Sequence, residues 1–330
     1  MRAVVIHRYG GPEVCAIEER EPPRPGPGEA LIGVGRAGLN FIDVHLRLGR
    51  YANSQTYRNA LPMVLGMEGS GIVREVGADV AGIAPGMRVA WCAVRGSFAD
   101  YAIVPATRLV AVPDDVDLDT ATALMLQGLT AHYLATSAFP LSPGHTCLVH
   151  AAAGGVGGLL VQLAKIRGAV VIATVGSEAK ADLARALGAD HVVRYREQEF
   201  RAEVRRLTDG AGVDVVYDSV GKDTIAGSIR SLKRRGTCIN FGGASGLVES
   251  VVPLELGEAG SVFFTRPHLA DYIATPGELA HRANELFALV RDGRLRTTID
   301  RRFDLAGVAE AMRYLEAGKT RGKILLDVVP

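Results

Sequence analysis

The chain has 330 residues, a length suited to about two domains, with 48% hydrophobic and 22% charged residues, the balance of an ordinary globular protein. Its formal net charge of +1 offers no field to draw in nucleic acid or an anionic membrane, and no apolar run reaches membrane-span length. The four cysteines, Cys15, Cys92, Cys147 and Cys238, are too scattered for a disulfide framework or a structural zinc cluster, which suits a reducing, cytoplasmic setting; the amino terminus turns polar too soon for a signal peptide.

The first third reads as β-rich. Short strand-like runs, Ala3 to Ile6, Glu29 to Arg36, Ser70 to Val76, Arg88 to Val94 and Phe98 to Val104, are separated by glycine and proline turns such as Gly10-Gly11-Pro12 and Pro85-Gly86. This pattern predicts a partly open β-barrel. A helical pattern follows, with Asp117 or Asp119 as its N-cap. From about Thr146 the period changes. Apolar runs at Cys147 to His150, Val170 to Val175, His191 to Val193, Val213 to Asp218, Thr237 to Phe241 and Ser261 to Thr265 alternate with helices, including Glu178 to Leu187 and Thr224 to Leu232. Strands that are apolar throughout, set between helices, predict an α/β Rossmann domain: a doubly wound parallel sheet covered on both faces. The tail predicts a long helix from Pro276 to Asp292, a second from Ala306 to Ala317 and a last strand from Lys323 to Val328, returning to the first domain.

The most telling stretch is Val149-His150-Ala151-Ala152-Ala153-Gly154-Gly155-Val156-Gly157-Gly158. It joins an apolar strand to a helix, the setting a dinucleotide fingerprint requires. Ala152, Gly154 and Gly157 occupy its three small-residue positions, with Gly155 and Val156 between them. A side chain at Gly154 would meet the pyrophosphate; one at Gly157 would push the helix off the sheet. The free N–H groups of the helix start then face the phosphates. The second strand ends at Val175-Gly176-Ser177, without the acid that an NAD site usually places there. Lys180 adds a cation in the next turn, or is a solvated helix lysine. Glu178 stands where it can point at the ribose and weaken a preference for NADP.

Asn40-Phe41-Ile42-Asp43, Gly66-Met67-Glu68-Gly69-Ser70-Gly71, Gln127-Gly128-Leu129-Thr130-Ala131, the glycine-rich turn, Tyr217-Asp218-Ser219-Val220-Gly221 and Phe264-Thr265-Arg266-Pro267 follow one another along nearly the whole chain. In these motifs the chain resembles the zeta-crystallin-like NADPH:quinone oxidoreductases, the zinc-free branch of the medium-chain dehydrogenase/reductase superfamily. The zinc branch has Cys near Asn40 and Gly-His-Glu at Gly66-Met67-Glu68. An amide and a thioether are poor substitutes for thiolate and imidazole, so no metal site is expected. Glu68 is expected to hold backbone N–H groups or a basic partner.

The resemblance implies a GroES-like barrel domain from residues 1–123 and 268–330, a Rossmann domain from 124–267 inserted into it with the active site between them, NADPH as cofactor, a quinone as substrate and a homodimer. Ser177, Lys180 and Tyr195 match family positions that hold the adenosine 2′-phosphate. Asn40, Asp43 and Tyr51 match the catalytic floor. Asn40 would place the nicotinamide or a quinone oxygen, Asp43 would orient neighbours, and Tyr51 would cap the ring or donate a proton. His45 stands where close relatives carry Tyr, as a structural histidine or a proton carrier. Gln127 and Thr130 are expected at the nicotinamide ribose or amide. Ser219 and Val220, Phe241 and Gly242, and Phe264 and Arg266 are expected after the last three sheet strands; Arg266 meets a pyrophosphate or ketone oxygen, or forms an interface salt bridge. His150 and Asp218 are expected to hold strands and turns in place. The loop 52–60 is a surface insertion or a border of the substrate mouth, with Tyr57 or Arg58 narrowing specificity. A second reading keeps NADPH but takes an enoyl thioester or α,β-unsaturated ketone, with Tyr51 or His45 as proton donor. RNA binding by Arg201-Arg205-Arg206 and Lys233-Arg234-Arg235 is disfavoured, because acids such as Glu199 and Glu203 lie nearby.

Overall fold

The structure is a computed structural model and describes residues 1–54 and 60–328. Its elements begin with β1 (Arg2–Ile6), β2 (Ala16–Glu19), β3 (Glu29–Leu39), α1 (Phe41–Arg47), β4 (Met63–Val64), β5 (Glu68–Val76), β6 (Arg88–Cys92), β7 (Tyr101–Pro105), β8 (Val110–Ala111) and α2 (Leu118–Ala123). Next come α3 (Leu129–Tyr133), β9 (Thr146–Val149), α4 (Gly155–Ile166), β10 (Val170–Val175), α5 (Glu178–Ala186), β11 (His191–Arg194), α6 (Phe200–Leu207), β12 (Val213–Asp218), α7 (Ile225–Arg230), β13 (Leu232–Asn240), α8 (Pro253–Glu258) and β14 (Phe263–Thr265). The chain ends with α9 (Leu269–Tyr272), α10 (Pro276–Arg291), β15 (Ile299–Asp304), α11 (Val308–Glu316) and β16 (Lys323–Asp327). These form two compact units: Met1–Leu126, Ile273–Asp292 and Thr297–Pro330 in the first, Gln127–Tyr272 and Gly293–Arg296 in the second.

The first unit is a β-rich, GroES-like body. A sheet ordered β15-β16-β3-β5-β6-β8, with β7 also paired to β3, is accompanied by a smaller sheet, β2-β1-β4. β16 runs antiparallel to β3 with Leu325 opposite Gly38, so the last strand of the chain completes a sheet begun by the third. Trp91, Phe98, Leu39, Ile32 and Leu326 are buried in its core with Met312 and Ala311 of α11. Asp117 caps α2 as the sequence suggested, its carboxylate accepting from the Thr120 N–H at 2.7 Å.

The second unit is the doubly wound domain. Its six strands lie in the order β11-β10-β9-β12-β13-β14, every pair parallel. Leu148, Ile172, Val216 and Cys238 fill one side of the sheet. β13 begins at Leu232, five residues before the run that predicted it, because its first turn of strand is the exposed Lys233-Arg234-Arg235. π-helical turns at Leu124–Gly128 and Leu134–Ala138 flank α3, a local widening of the helix that hydrophobic periodicity does not reveal.

Candidate functional site

In the second unit, β9 ends at Val149 and the chain turns through Ala151, held at φ 50°, into Gly154, the N-cap of α4. The first bond of this start is Gly158 N–H to Gly154 C=O at 2.8 Å. The N–H groups of Gly155, Val156 and Gly157 therefore have no acceptor within the helix and point outward from its positive end. Ala152 is buried beneath the turn. A Cβ on Gly157 would collide with the Ala151 carbonyl and lie 2.9 Å from Ala152 Cα, so the helix packs this closely only with glycine. A Cβ on Gly154 would meet only the Ala151 oxygen, at 3.1 Å, with nothing else within 4 Å. The turn is thus tight below and open above, as a pyrophosphate cradle must be. The side chain of Gln127 lies directly against Gly155, and Thr130 is buried one turn further along.

At the carboxyl end of β10, Ser177 caps α5 and is exposed, while Lys180 is half-buried in the first turn. Tyr195 N–H donates to the Val175 carbonyl at 3.1 Å, which brings the end of β11 beside the end of β10. The Tyr195 ring is half exposed, and its hydroxyl lies 2.7 Å from where a Cβ on Gly176 would stand. Glu178 is not a lone acid facing this position. Its carboxylate is paired with Arg185 Nη1 at 3.0 Å and Arg194 Nη1 at 2.8 Å. Sequence reasoning missed Arg194; the signal was available, since it ends the strand that delivers Tyr195.

At the carboxyl end of β12, Asp218 Oδ1 accepts the N–H groups of Val220 and Gly221, both at 2.9 Å, and the Thr224 hydroxyl. Asp218 Oδ2 accepts the Ser228 hydroxyl at 2.7 Å. His150 bridges Ser228 and Thr174 through its two ring nitrogens, at 3.0 and 2.8 Å. Burial depresses the His150 pKa, which keeps the ring neutral between two hydroxyls. This network holds the Ser219-Val220 turn. Asn240 Nδ2 donates to the Asp218 and Gly242 carbonyls, tying the end of β13 to that turn. Arg266, after β14, donates to the Asn240 carbonyl at 3.1 Å. Ser219, Val220, Phe241, Gly242 and Arg266 therefore meet at one end of the parallel sheet, with Phe264 half-buried in β14.

In the first unit, Asn40, Asp43, Glu68 and Lys323 form a buried polar cluster. Glu68 Oε1 accepts the Leu126 N–H; Oε2 accepts from Asn40 Nδ2 at 2.8 Å and is paired with the Lys323 ammonium. Lys323 Nζ also donates to Asn40 Oδ1 at 2.9 Å. Asn40 Nδ2 reaches the Gly38 carbonyl as well, so both ends of its amide are engaged within the cluster. The expected basic partner of Glu68 is thus Lys323, which sequence reasoning did not single out. A Cβ on Gly38 would lie 2.7 Å from Lys323 Nζ, so β3 omits a side chain where β16 inserts the ammonium. Asp43 Oδ2 accepts the Asn40 N–H at 2.9 Å and closes a capping box at the start of α1; its Oδ1 is buried without a hydrogen-bond partner. Burial pushes the Asp43 pKa up to about 7, against the pull of the Asn40 N–H and the Lys323 charge.

His45 is buried on α1 with its ring edge-on to Tyr51, centroids 5.8 Å apart. Its Nδ1 lies 3.2 Å from Arg50 Nη1. A guanidinium can only donate, so this nitrogen carries the lone pair and a neutral ring holds its proton on Nε2. Tyr57 and Arg58 lie outside the described residues. Among the described residues, no group of three His, Cys, Asp or Glu side chains is placed to hold a metal ion.

Residues 26–114 match the family model of the alcohol dehydrogenase GroES-like domain, and residues 187–326 that of the zinc-binding dehydrogenases. A quinone oxidoreductase of Pseudomonas aeruginosa is 42% identical over 319 residues, 96% of this chain and 97% of that one. A 2-haloacrylate reductase of Burkholderia is 40% identical over 328 residues, 98% of each chain. The solved structure of Escherichia coli quinone oxidoreductase complexed with NADPH superposes with a TM-score of 0.95 at 37% identity, covering 99% of this chain and 100% of the other. With relatives this similar over their full length, the chain belongs to the quinone oxidoreductase family of the medium-chain dehydrogenase/reductase superfamily.

Proposed function

We propose that the protein is a zeta-crystallin-like, zinc-independent reductase that takes electrons from NADPH and delivers them to a quinone. The observation that carries this reading is the full-length likeness to quinone oxidoreductases, one of them solved with NADPH. The nicotinamide cofactor, when bound, supplies the hydride equivalent. The chain does the rest. Ala152, Gly154, Gly155, Val156 and Gly157 present the open turn and free N–H groups that suit a pyrophosphate. Ser177, Lys180 and Tyr195 offer two hydroxyls and a cation to a 2′-phosphate. Gln127, Thr130, Ser219, Val220, Phe241, Gly242, Phe264 and Arg266 line the nicotinamide half.

In the first unit, Lys323 and Glu68 fix the Asn40 amide, Asp43 holds the start of α1, and that helix carries His45 towards Tyr51. The Tyr51 hydroxyl and His45 Nε2–H are the donors we assign to a quinone oxygen as charge develops on it. The same donors suit a proton transfer to the α-carbon of an activated alkene. The 40% identity to a 2-haloacrylate reductase favours this second reading over other carbonyl chemistry.

We further propose a homodimer joined through the β14 edge of the parallel sheet. β14 pairs only with β13 in that sheet, and Phe263 (63% exposed), Leu254 (71%) and Val252 (51%) leave an apolar surface beside it. No helix among the described residues is long and apolar enough to cross a membrane, and the four cysteines are free thiols, which fits a reducing cytoplasm.

The test is NADPH and NADH oxidation by EDTA-treated protein across ortho- and para-quinones, an enoyl thioester and 2-chloroacrylate. Quinone turnover that prefers NADPH and survives EDTA is the expected result. Alkene turnover with idle quinones moves the assignment to the second reading, and loss of turnover with EDTA overturns zinc independence.

A further inference from the structure

Glu178 stands just beyond the strand end where an acid normally chooses NAD. It follows Ser177 after β10, in the first turn of α5, within side-chain reach of the position from which carboxylates of NAD sites accept the ribose hydroxyls. A free carboxylate at that point repels a 2′-phosphate. Yet the chain ends β10 otherwise as an NADP site, with Ser177 after Gly176, the Tyr195 hydroxyl beside Gly176 and Lys180 in the first turn of α5. The conflict is resolved by geometry. Arg194 is the last residue of β11 and stands opposite Val175 in the parallel register, so its guanidinium is delivered to Glu178 by the neighbouring strand. Arg194 Nη1 meets Glu178 Oε2 at 2.8 Å, while Arg185, two turns along α5, takes Oε1 at 3.0 Å. Each carboxylate oxygen is thereby occupied. The guanidiniums are shared in turn: Arg194 Nη2 pairs with Glu197 at 2.7 Å and Arg185 with Asp182 at 2.9 Å. The Arg185 hydrogen bond, with both arginine charges, holds the Glu178 carboxyl below its usual range, so it stays an anion whose charge is matched.

We propose that Arg194 is a specificity-determining residue that masks Glu178, so that a site with an acid at its edge accepts the 2′-phosphate of NADPH. The inference rests on the nicotinamide reading above and concerns cofactor choice alone. Arg194 acts by positioning the acid: with Arg185 on the other oxygen, it holds Glu178 Oε2 in an ion pair. Removing the guanidinium leaves Oε2 without its partner while Arg185 still holds Oε1, so the acid's charge is less well matched near the phosphate; removing the acid leaves nothing to mask. The two substitutions must therefore compensate each other, which a direct phosphate ligand would not do.

Calorimetric titration of the full chain with 2′,5′-ADP and 5′-AMP separates the possibilities. The native protein is expected to bind 2′,5′-ADP more tightly than 5′-AMP. R194A is expected to weaken 2′,5′-ADP by about fivefold, the scale of one exposed ion pair, with 5′-AMP unchanged or tighter. E178Q is expected to strengthen 2′,5′-ADP, and R194A/E178Q to return within about twofold of native. Both positions of this cycle are solvent-accessible, Glu178 exposed and Arg194 half-buried, and circular dichroism checks that each variant folds. A loss in R194A that persists in the double variant overturns masking and makes Arg194 a plain phosphate ligand; no change in R194A overturns the inference outright. Native protein with no preference for 2′,5′-ADP over 5′-AMP overturns the NADPH reading itself, and the inference with it.

Discussion

Lys323 is fully buried with its ammonium against Glu68 and the Asn40 amide, 255 residues away in the chain from the carboxylate it neutralises. A buried pair of this kind contributes little over an apolar replacement, but losing one member strands a charge. K323M should therefore cost about 3–5 kcal/mol, and E68M/K323M should recover only part of it, because the Leu126 N–H and the Asn40 amide then lose their acceptor. Trp91 is the only tryptophan and is buried in the first unit, so its fluorescence in a urea titration reports this unit directly. If K323M unfolds at the native urea midpoint, the ion pair does not hold this cluster. Asp43 gives the same reporter a pH signature. Its folded pKa of about 7 lies above the ordinary carboxyl value of 3.8, so the native state binds this proton more tightly than the unfolded state. That contribution is complete below pH 3.8 and is lost as pH rises through about 7. D43N keeps a carbonyl oxygen for the Asn40 N–H and has no such proton. Its stability relative to native should rise between pH 5 and pH 8; a parallel pair of urea midpoints would remove Asp43 as the source. Only part of this was legible in sequence, which called for backbone N–H groups or a basic partner at Glu68. Asn40, Asp43 and Glu68 could be picked out by motif, but the lysine that organises them sits in an apolar final strand whose only visible property was its periodicity.

The strand–turn–helix around Gly154 shows what one element fixes and what it leaves open. Gly157 faces backbone and Gly154 faces space, although both belong to the same fingerprint. G157A should push α4 off β9 and destabilise the second unit by at least about 1–3 kcal/mol, as overpacking does. G154A should fold with a native melting temperature and lose 2′,5′-ADP and NADPH binding at least tenfold; tight binding by G154A would remove the pyrophosphate from this turn. The parallel sheet was largely readable, because strands buried on both faces are apolar without interruption. The reading stopped where that logic stops. β13 opens with three exposed basic residues, and the β-rich first unit contains two-residue strands, β4 and β8, too short for any pattern. The caps fared better, since a capping residue acts over three positions: Asp117 was visible, and Thr275 with Glu278 forms a capping box at α10. T275A should cost about 1 kcal/mol in α10.

For the whole molecule, the exposed Phe263, Leu254 and Val252 bear on assembly. L254D/F263D should convert a dimer to a monomer in sedimentation velocity while leaving 2′,5′-ADP binding unchanged; native protein that sediments as a monomer removes the proposed β14 interface. The sheet of the first unit has a further consequence, for the order in which the molecule is made. Its third strand is translated early, but that strand's partner β16, and the cation for Glu68, leave the ribosome only after the whole sheet of the second unit. All six strands of the second unit, by contrast, have been synthesised by Thr265. The portion translated first must wait, with a carboxylate that has no counter-ion, while the portion translated second already has its whole sheet. Synthesis order and completion order are reversed, and a nascent chain stalled just before Lys323 would carry the complete parallel sheet of the second unit and an incomplete sheet in the first.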